Sequence, residues 1–183
     1  GVPRAVLRLK GSARFLPSTY SLRRDQFLEL SLSIKGILST QSYISAELEA
    51  ARSFPIGRYS EVRTRLQGAA LAGDSGLIDE YRVSDYFRGL YGGRLFSSRL
   101  VKSNVELFLS LEREYLRVSG FLEGIAASGS RFTSTGVRAG GATGLGIHTL
   151  FLQTIQGSIY GVVGVLNDES VDVGINLSLT RLF

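Results

Sequence analysis

The feature that most constrains this chain is an alternation of apolar and polar residues that repeats in many short segments. Val105–Leu111, for example, reads VELFLSL and carries an aliphatic residue at every second position. Successive side chains of a β-strand point to opposite faces, so a strand gathers these residues on one face, whereas a helix would spread them around its circumference. The other segments with this pattern are Phe27–Leu38, Tyr43–Ala50, Val62–Ala72, Leu116–Gly124 and Val171–Phe183.

Three weaker segments complete the set, namely Ala5–Phe15 and the glycine-rich Gly144–Leu152 and Ser158–Leu166. Together, the segments predict about nine antiparallel strands and an all-β protein. The composition agrees, since the chain has 22 glycines, 8 tyrosines and 10 phenylalanines but only 3 prolines. We expect a single domain over residues 1–183. Because the chain begins at Gly1 rather than at a methionine, we also expect it to be processed or truncated.

The lengths and charges of these segments favour a membrane barrel over a soluble sandwich. Most of them exceed the ~5–6 residues of an average soluble strand and approach the ~9–11 residues of a membrane-spanning one. Their polar faces carry full charges, which suit a water-filled lumen. Tight reversals such as Glu112–Tyr115 contrast with long polar ones, and the last strand ends on Phe183, as bacterial outer-membrane proteins do. We predict an antiparallel transmembrane β-barrel in an outer membrane, bacterial rather than organellar.

Several other functional classes lack their chemical signatures here. The chain has no cysteine and a single histidine, His148, and it contains no G-x-S-x-G motif, so we expect no metal site, no cofactor and no enzyme. Gly140–Gly146 looks like a phosphate-binding loop, but the strand-like Ile147–Leu152 follows it instead of a helix. Its glycines are expected to allow curvature or to neighbour bulky side chains. The basic residues are scattered despite the net charge of +5, so no nucleic-acid partner is expected.

The longest interruption of the strand pattern, Gly73–Phe96, carries a recognisable motif. Within it, Tyr86–Leu90 reads YFRGL and resembles the (V/I/L)-R-G-(F/Y) motif of the BamA-type outer-membrane superfamily of insertases and translocases. Phe121–Gly124 reads FLEG and stands where that superfamily has an F-x-D-x-G strand motif, with Glu in place of Asp. Ser103–Leu107 reads SNVEL and is similar to the N-x-E-L segment on the strand after the motif loop.

This resemblance implies a fold and a contact. In the superfamily, the motif lies on an external loop that folds back into a sixteen-stranded barrel, and its arginine meets the acidic residue of the strand motif. We therefore expect the loop at about residues 73–96 to enter the lumen, with Arg88 and Gly89 near Glu123. A charge-assisted ion pair would hold a loop that a water-filled lumen does not attract by hydrophobic force. The resemblance covers about Tyr43–Phe183 and implies the C-terminal part of a larger barrel.

The resemblance also implies a function: insertion and assembly of outer-membrane proteins, or translocation of polypeptides, without bond chemistry. The implied partners are outer-membrane lipids, unfolded or secreted client polypeptides and other barrel subunits. The last strand would form one side of a seam that exposes an edge to a client strand. Gly174 would be the weak point of this strand. The assembly signal would comprise Ile175, Leu177, Leu179 and Phe183.

Alternatives remain open at this level. The chain would also suit a barrel that anchors an N-terminal passenger, such as a phospholipase-type domain, or a pore, or a small stand-alone barrel. A soluble β-protein that binds anionic ligands is a third reading. Nine strands is an odd number, whereas bacterial single-chain barrels have even numbers. Either one segment is not a strand, the chain is incomplete, or other copies or subunits complete the barrel.

Overall fold

A computed structural model of the chain describes residues 5–15, 28–38, 42–56, 58–73, 80–89, 96–113, 115–129, 136–151, 155–166 and 171–181. The described part is all-β apart from one helical turn. Its elements are β1 (Ala5–Phe15), β2 (Leu28–Leu38), β3 (Tyr43–Pro55), β4 (Glu61–Gly73), β5 (Tyr81–Arg82), α1 (Val83–Tyr86), β6 (Phe96–Ser97), β7 (Arg99–Glu112), β8 (Leu116–Ser128), β9 (Arg138–Phe151), β10 (Ile155–Leu166) and β11 (Asp172–Arg181).

Nine of these strands form one sheet in the order β1-β2-β3-β4-β7-β8-β9-β10-β11, and every neighbouring pair is antiparallel. The predicted all-β class and the predicted number of strands are confirmed. Four strands precede the motif loop and five follow it. The largest boundary errors are of six residues: β9 begins at Arg138 instead of Gly144, and β7 begins at Arg99 instead of Val105. There, Lys102 and Asn104 face inward while Ser103 faces outward, so polar residues on both faces hide the alternation.

The sheet is not closed into a barrel. β1 and β11 are its two edges, and no pairing joins them within the described residues. An odd number of antiparallel strands leaves both edge strands running in the same direction. They could therefore pair directly only as parallel strands, and an antiparallel closure needs at least one more strand between them. The nine strands thus form an open antiparallel sheet, and the expected closed barrel is not formed by them alone.

The two faces of the sheet have the opposite character to those of a water-soluble protein. The outer face carries exposed aliphatic side chains on every strand of the sheet for which side chains are described, among them Leu9, Leu48 and Leu179, the last with 80% of its surface exposed. The inner face buries charged and polar groups, among them Glu61 and Glu123. Large apolar side chains normally lie inside and charges outside. The polarity of this sheet is therefore inverted relative to that of a typical water-soluble protein.

The described residues between β4 and β7, which are 80–89 and 96–98, fold against the inner face. They include the β5–β6 ladder and α1, and the side chains of Val83 and Phe87 are almost wholly buried. They join an apolar cluster that includes Leu100, Val162 and Leu166 on the sheet. The expectation that the loop enters the inner side agrees with this arrangement. The expectation that it lacks hydrophobic support is wrong, because Val83 and Phe87 are buried in this apolar cluster.

The connections at the two ends of the sheet differ in length. At the end where Arg181 lies, residues 56–60, 113–115 and 152–154 join strands, and only 16–27 is longer. At the opposite end, residues 74–98 and 129–137 join strands, together with the short 39–42 and 167–171. The motif loop therefore lies at the end opposite the last strand's terminus. No helix in the described ranges is long and apolar enough to cross a bilayer.

Candidate functional site

The site is centred on Arg88, which the end of α1 directs onto the inner face of the sheet. The backbone N–H of Phe87 donates to the carbonyl of Val83 at 3.0 Å and ends the helical turn. The Arg88 backbone N–H then donates to Glu123 Oε1 at 2.7 Å, and its Nε donates to Glu123 Oε2 at 3.1 Å. The two residues that the motifs paired are therefore in direct contact. The Glu123 carboxylate receives both a backbone and a side-chain hydrogen bond from one loop residue, which fixes the direction of that loop.

A second carboxylate and a second cation extend this ion pair. Arg88 Nη2 donates to Glu106 Oε2 at 3.1 Å, and Lys102 Nζ lies 3.2 Å from Glu123 Oε2. The side chain of Glu123 is fully buried, and those of Glu106 and Lys102 are nearly so. Two positive and two negative charges thus balance inside the sheet. Removal of one partner of such a buried pair typically costs about 3–5 kcal/mol, because it leaves an uncompensated charge.

The sequence motifs paired Arg88 with Glu123 and did not single out Glu106 as a partner. Its signal was present in the strand pattern, because Glu106 is a charged inward residue in a stretch of β7 whose outward residues are all aliphatic. The register places Glu106 directly opposite Phe121 and places Asn104 opposite Glu123. Only this pairing shows that both carboxylates lie within reach of one guanidinium. Lys102 was missed because it lies before the segment that the alternation predicted.

Two aromatic rings flank the guanidinium of Arg88. Its Cζ lies 4.1 Å from the ring centroid of Phe121 and 5.1 Å from that of Tyr160. The two rings meet edge to face at 5.9 Å. A planar guanidinium can stack on aromatic faces and form forked hydrogen bonds at the same time, which an ammonium group cannot do. The pocket is therefore specific for arginine.

Gly89 and Gly164 let the loop backbone approach the sheet. A Cβ at Gly89 would lie 2.8 Å from Ala142 Cβ and 2.8 Å from Gly164 Cα, closer than real Cβ contacts. A side chain at either glycine would push the loop away from β9 and β10. Gly144, in the glycine-rich segment, lies against the ring of Phe121. A Cβ added at Gly144 would lie 2.7 Å from Phe121 Cε1. The expectation that this segment neighbours bulky side chains is confirmed.

A chain of neutral hydrogen bonds leads from the ion pairs to His148. Ser119 Oγ donates to Glu106 Oε1 at 2.9 Å and lies 2.8 Å from His148 Nε2. Ser158 Oγ lies 2.9 Å from His148 Nδ1. A single set of proton positions satisfies these hydrogen bonds. Ser158 donates to Nδ1 of His148, and Nε2–H of His148 donates to Ser119. Glu106 lies on the same side of the ring as Ser119, so the arrangement differs from a Ser-His-carboxylate triad, in which the acid binds the opposite nitrogen.

A second charged cluster lies nearer the end of the sheet that carries Arg181. The buried carboxylate of Glu61 binds Arg63 and Ser53, and Arg117 Nη1 lies 3.1 Å from its Oε1. The guanidinium of Arg63 also lies over the Phe108 ring at 4.7 Å. In these pairs, inward acidic and basic residues balance one another. Within the described residues, no group of three or more potential metal ligands converges.

The pKa of Arg88 is raised from its ordinary value. Burial by itself lowers it, but the charges of Glu106 and Glu123 and the hydrogen bond to Glu106 more than offset this effect. The guanidinium is therefore positively charged throughout the accessible pH range. The loop carries a permanent charge into the sheet, and its neutralisation depends on the two carboxylates.

The residues assigned to a seam lie on the edge strand β11, apart from the ion-pair network. Gly174 pairs with Val162 of β10, and its other side is the open edge. Ile175, Leu177 and Leu179 project from the outer face and are highly exposed. Phe183 lies outside the described residues, so its assigned role as assembly signal stays a prediction.

Comparison with known proteins adds no identification. No family model matches the sequence, and no curated protein matches it. The relation to the BamA-type superfamily therefore remains a resemblance carried by the motif residues.

Proposed function

We propose that the chain forms part of the wall of a transmembrane β-barrel in a bacterial outer membrane. The observation that carries the proposal is the inverted sheet, with an aliphatic outer face and buried ion pairs on its inner face. In water, such an outer face would drive association, because exposed apolar patches of this extent mark membrane or protein contacts. In a bilayer, the same face is matched by lipid chains, and the inner face keeps the charges away from them.

The height of the apolar face supports this proposal. On β7, outward aliphatic residues extend from Val101 to Leu111. Ten steps of ~3.3 Å give a length of roughly 33 Å along the strand. Membrane strands are tilted by ~35–45°, so the projected height is about 25 Å, which equals the usual apolar band of outer-membrane barrels.

Within this class, we propose that the protein inserts outer-membrane proteins or moves polypeptides across the membrane, with no bond chemistry and no cofactor. Two features support it: the inward loop held by Arg88, Gly89 and Glu123, and the open edge of β11. An unpaired strand edge can hydrogen-bond with an incoming client strand. Gly174 lies on this edge and would weaken the pairing that an incoming strand has to replace.

The membrane proposal is tested by folding the chain into phosphatidylcholine vesicles. We expect strand-rich circular dichroism, flotation with the vesicles and resistance to added protease. A soluble monomer that folds equally well without detergent or lipid would contradict the proposal and would favour a soluble anion-binding protein.

The insertion proposal is tested in the same vesicles with an unfolded outer-membrane barrel as client. We expect the client to fold faster in vesicles that contain the chain than in empty ones. The alternative function, a pore or a passenger anchor, is favoured by the charged inner face, which could line an aqueous path. It predicts steady ion conductance across a planar bilayer and no change in the client's folding rate.

A further inference from the structure

We propose that the outer face carries a binding groove for one acyl chain of a lipid with an anionic phosphate headgroup. This inference rests on the proposed membrane location and adds a specific lipid site to it. The groove crosses β3, β4, β7 and β8 near the end of the sheet that carries the motif loop. It has a volume of about 470 Å³, within the range of small-molecule sites.

The groove exists because small residues occupy nearby positions on β3, β4 and β8, three of the four strands that it crosses. The register places Leu48 opposite Gly68, Gly68 opposite Val101, and Val101 opposite Ala126. One step closer to the loop end, Ala46 stands opposite Ala70. These positions point outward and line the groove together. The alanines and Gly68 form a floor between larger side chains. A flat aliphatic wall would contact lipid chains evenly, whereas this one has a recess that a single chain can fill.

The walls of the groove are larger aliphatic side chains that remain exposed. Leu32 and Leu48 border one side, and Val101 and Val137 border the other. The lining is therefore almost entirely apolar. An apolar recess of this kind on an outward face offers little to bind a polar solute, but it matches the chemistry of a hydrocarbon chain.

Arg99 supplies the charge at the loop end of the groove. It lines the groove, is exposed, and stands in register with Ala70 and Ser128. No acidic side chain of the described residues pairs with it. Glu47 also borders the groove, but it lies between the outward Ala46 and Leu48, so its side chain belongs to the inner face. A guanidinium at the edge of an apolar band binds phosphate oxygens bidentately.

The geometry thus selects a lipid whose phosphate meets Arg99 while one chain lies over Gly68. A zwitterionic lipid gains the same chain contacts but carries its own cation beside the phosphate. One arginine near the headgroups corresponds to about a fivefold preference for an anionic lipid. The site would therefore collect anionic lipid from a mixed bilayer.

The test uses a single tryptophan as reporter, because the natural chain has none. Leu32→Trp places it at the groove wall, and Ile159→Trp places it on the outer face of β10, away from the groove. Each variant is folded into phosphatidylcholine vesicles that contain a minor fraction of phosphatidylglycerol, with bromine on the chains of one lipid or the other. After correction for the fraction of each lipid in the bilayer, we expect brominated phosphatidylglycerol to quench the tryptophan of Leu32→Trp about fivefold more than brominated phosphatidylcholine does. At Ile159→Trp we expect the two lipids to quench equally.

Two pairs of matched variants then separate chain binding from headgroup binding. In the Leu32→Trp background, Arg99→Gln and Gly68→Leu should each abolish the excess. Arg52→Gln, on the outer face near the opposite end, and Gly161→Leu, on β10, should leave it unchanged. A Cβ meets no atom within 4 Å at either Gly68 or Gly161, so both positions accept a side chain.

The outcomes distinguish the two proposals. Equal quenching by both lipids at Leu32→Trp, or an excess that survives Arg99→Gln, would overturn the lipid site while leaving the membrane location intact. An absence of quenching at both tryptophans would overturn the membrane location and the lipid site together.

Discussion

At the scale of single residues, the site depends on the guanidinium of Arg88, which binds two carboxylates and lies against two aromatic rings. Arg88→Lys retains the charge but loses the forked geometry and the stacking on Phe121. We expect Arg88→Ala to destabilise the folded chain by about 3–5 kcal/mol and Arg88→Lys to recover less than half of this loss. Urea unfolding in lipid vesicles measures both values.

The control for this prediction is the ion pair between Arg65 and Glu49. Its Nε–Oε1 distance is also 3.1 Å, but the Arg65 side chain is 53% exposed and that of Glu49 is 32% exposed, whereas that of Glu123 is fully buried. Arg65→Ala should therefore cost about 0–1 kcal/mol. A similar loss of stability in Arg65→Ala and Arg88→Ala would contradict the assignment of Arg88 as the residue that holds the loop.

A second prediction at this scale concerns Gly89, where the loop backbone meets Gly164. Gly89→Ala forces a Cβ to within 2.8 Å of Ala142 Cβ. We expect a loss of about 1–3 kcal/mol and faster cleavage of the loop by protease. Gly36→Ala, whose Cβ would meet nothing within 4 Å, should leave both measurements unchanged. Equal protease resistance of the two variants would show that the loop does not need this close approach.

At the scale of a single strand, β7 tests which environment covers the outer face. Leu107 lies near the middle of the strand, and Leu111 lies near the end closest to the 113–115 turn; both point outward. If lipid covers this face, Leu107→Arg should cost about 2–4 kcal/mol and Leu111→Arg about 0–1 kcal/mol. Urea unfolding in vesicles gives both values, and an equal cost at the two depths would argue against a bilayer around β7.

At the scale of the whole molecule, the odd number of strands makes direct closure unfavourable. The chain lacks cysteine, so pairs of introduced cysteines report which strands are neighbours. Val163 and Val173 are register partners on β10 and β11, and their double cysteine variant should form an intrachain disulfide in vesicles. Leu9→Cys with Ile175→Cys, on β1 and β11, should form none within one chain. An intrachain disulfide in this second variant, seen as a shifted band of monomer mass, would show that the nine strands close on themselves.

How much of the site was predictable depends on how far apart its residues lie in the chain. Arg88 and Glu123 were paired through motifs, and they are in contact. Glu106, Lys102 and Tyr160 were not assigned to the arginine, because their proximity depends on strand register. A shift of one residue in register would turn Glu106 to the opposite face. The apolar packing of Phe87 was also missed, since a loop of mixed composition carries no periodic signal.

The alternation of residues was sufficient to establish the strands and the separation of aliphatic from charged faces. Each of these properties follows from the period of two, which is local to each strand. The contacts of the loop, the groups shared by Arg88 and the groove between β3 and β8 depended on the folded chain. They depend on residues from several strands, and the proximity of those residues is set by the register and shape of the sheet. The open edges have the same origin, because whether two strands meet is a property of the assembled sheet and not of either strand.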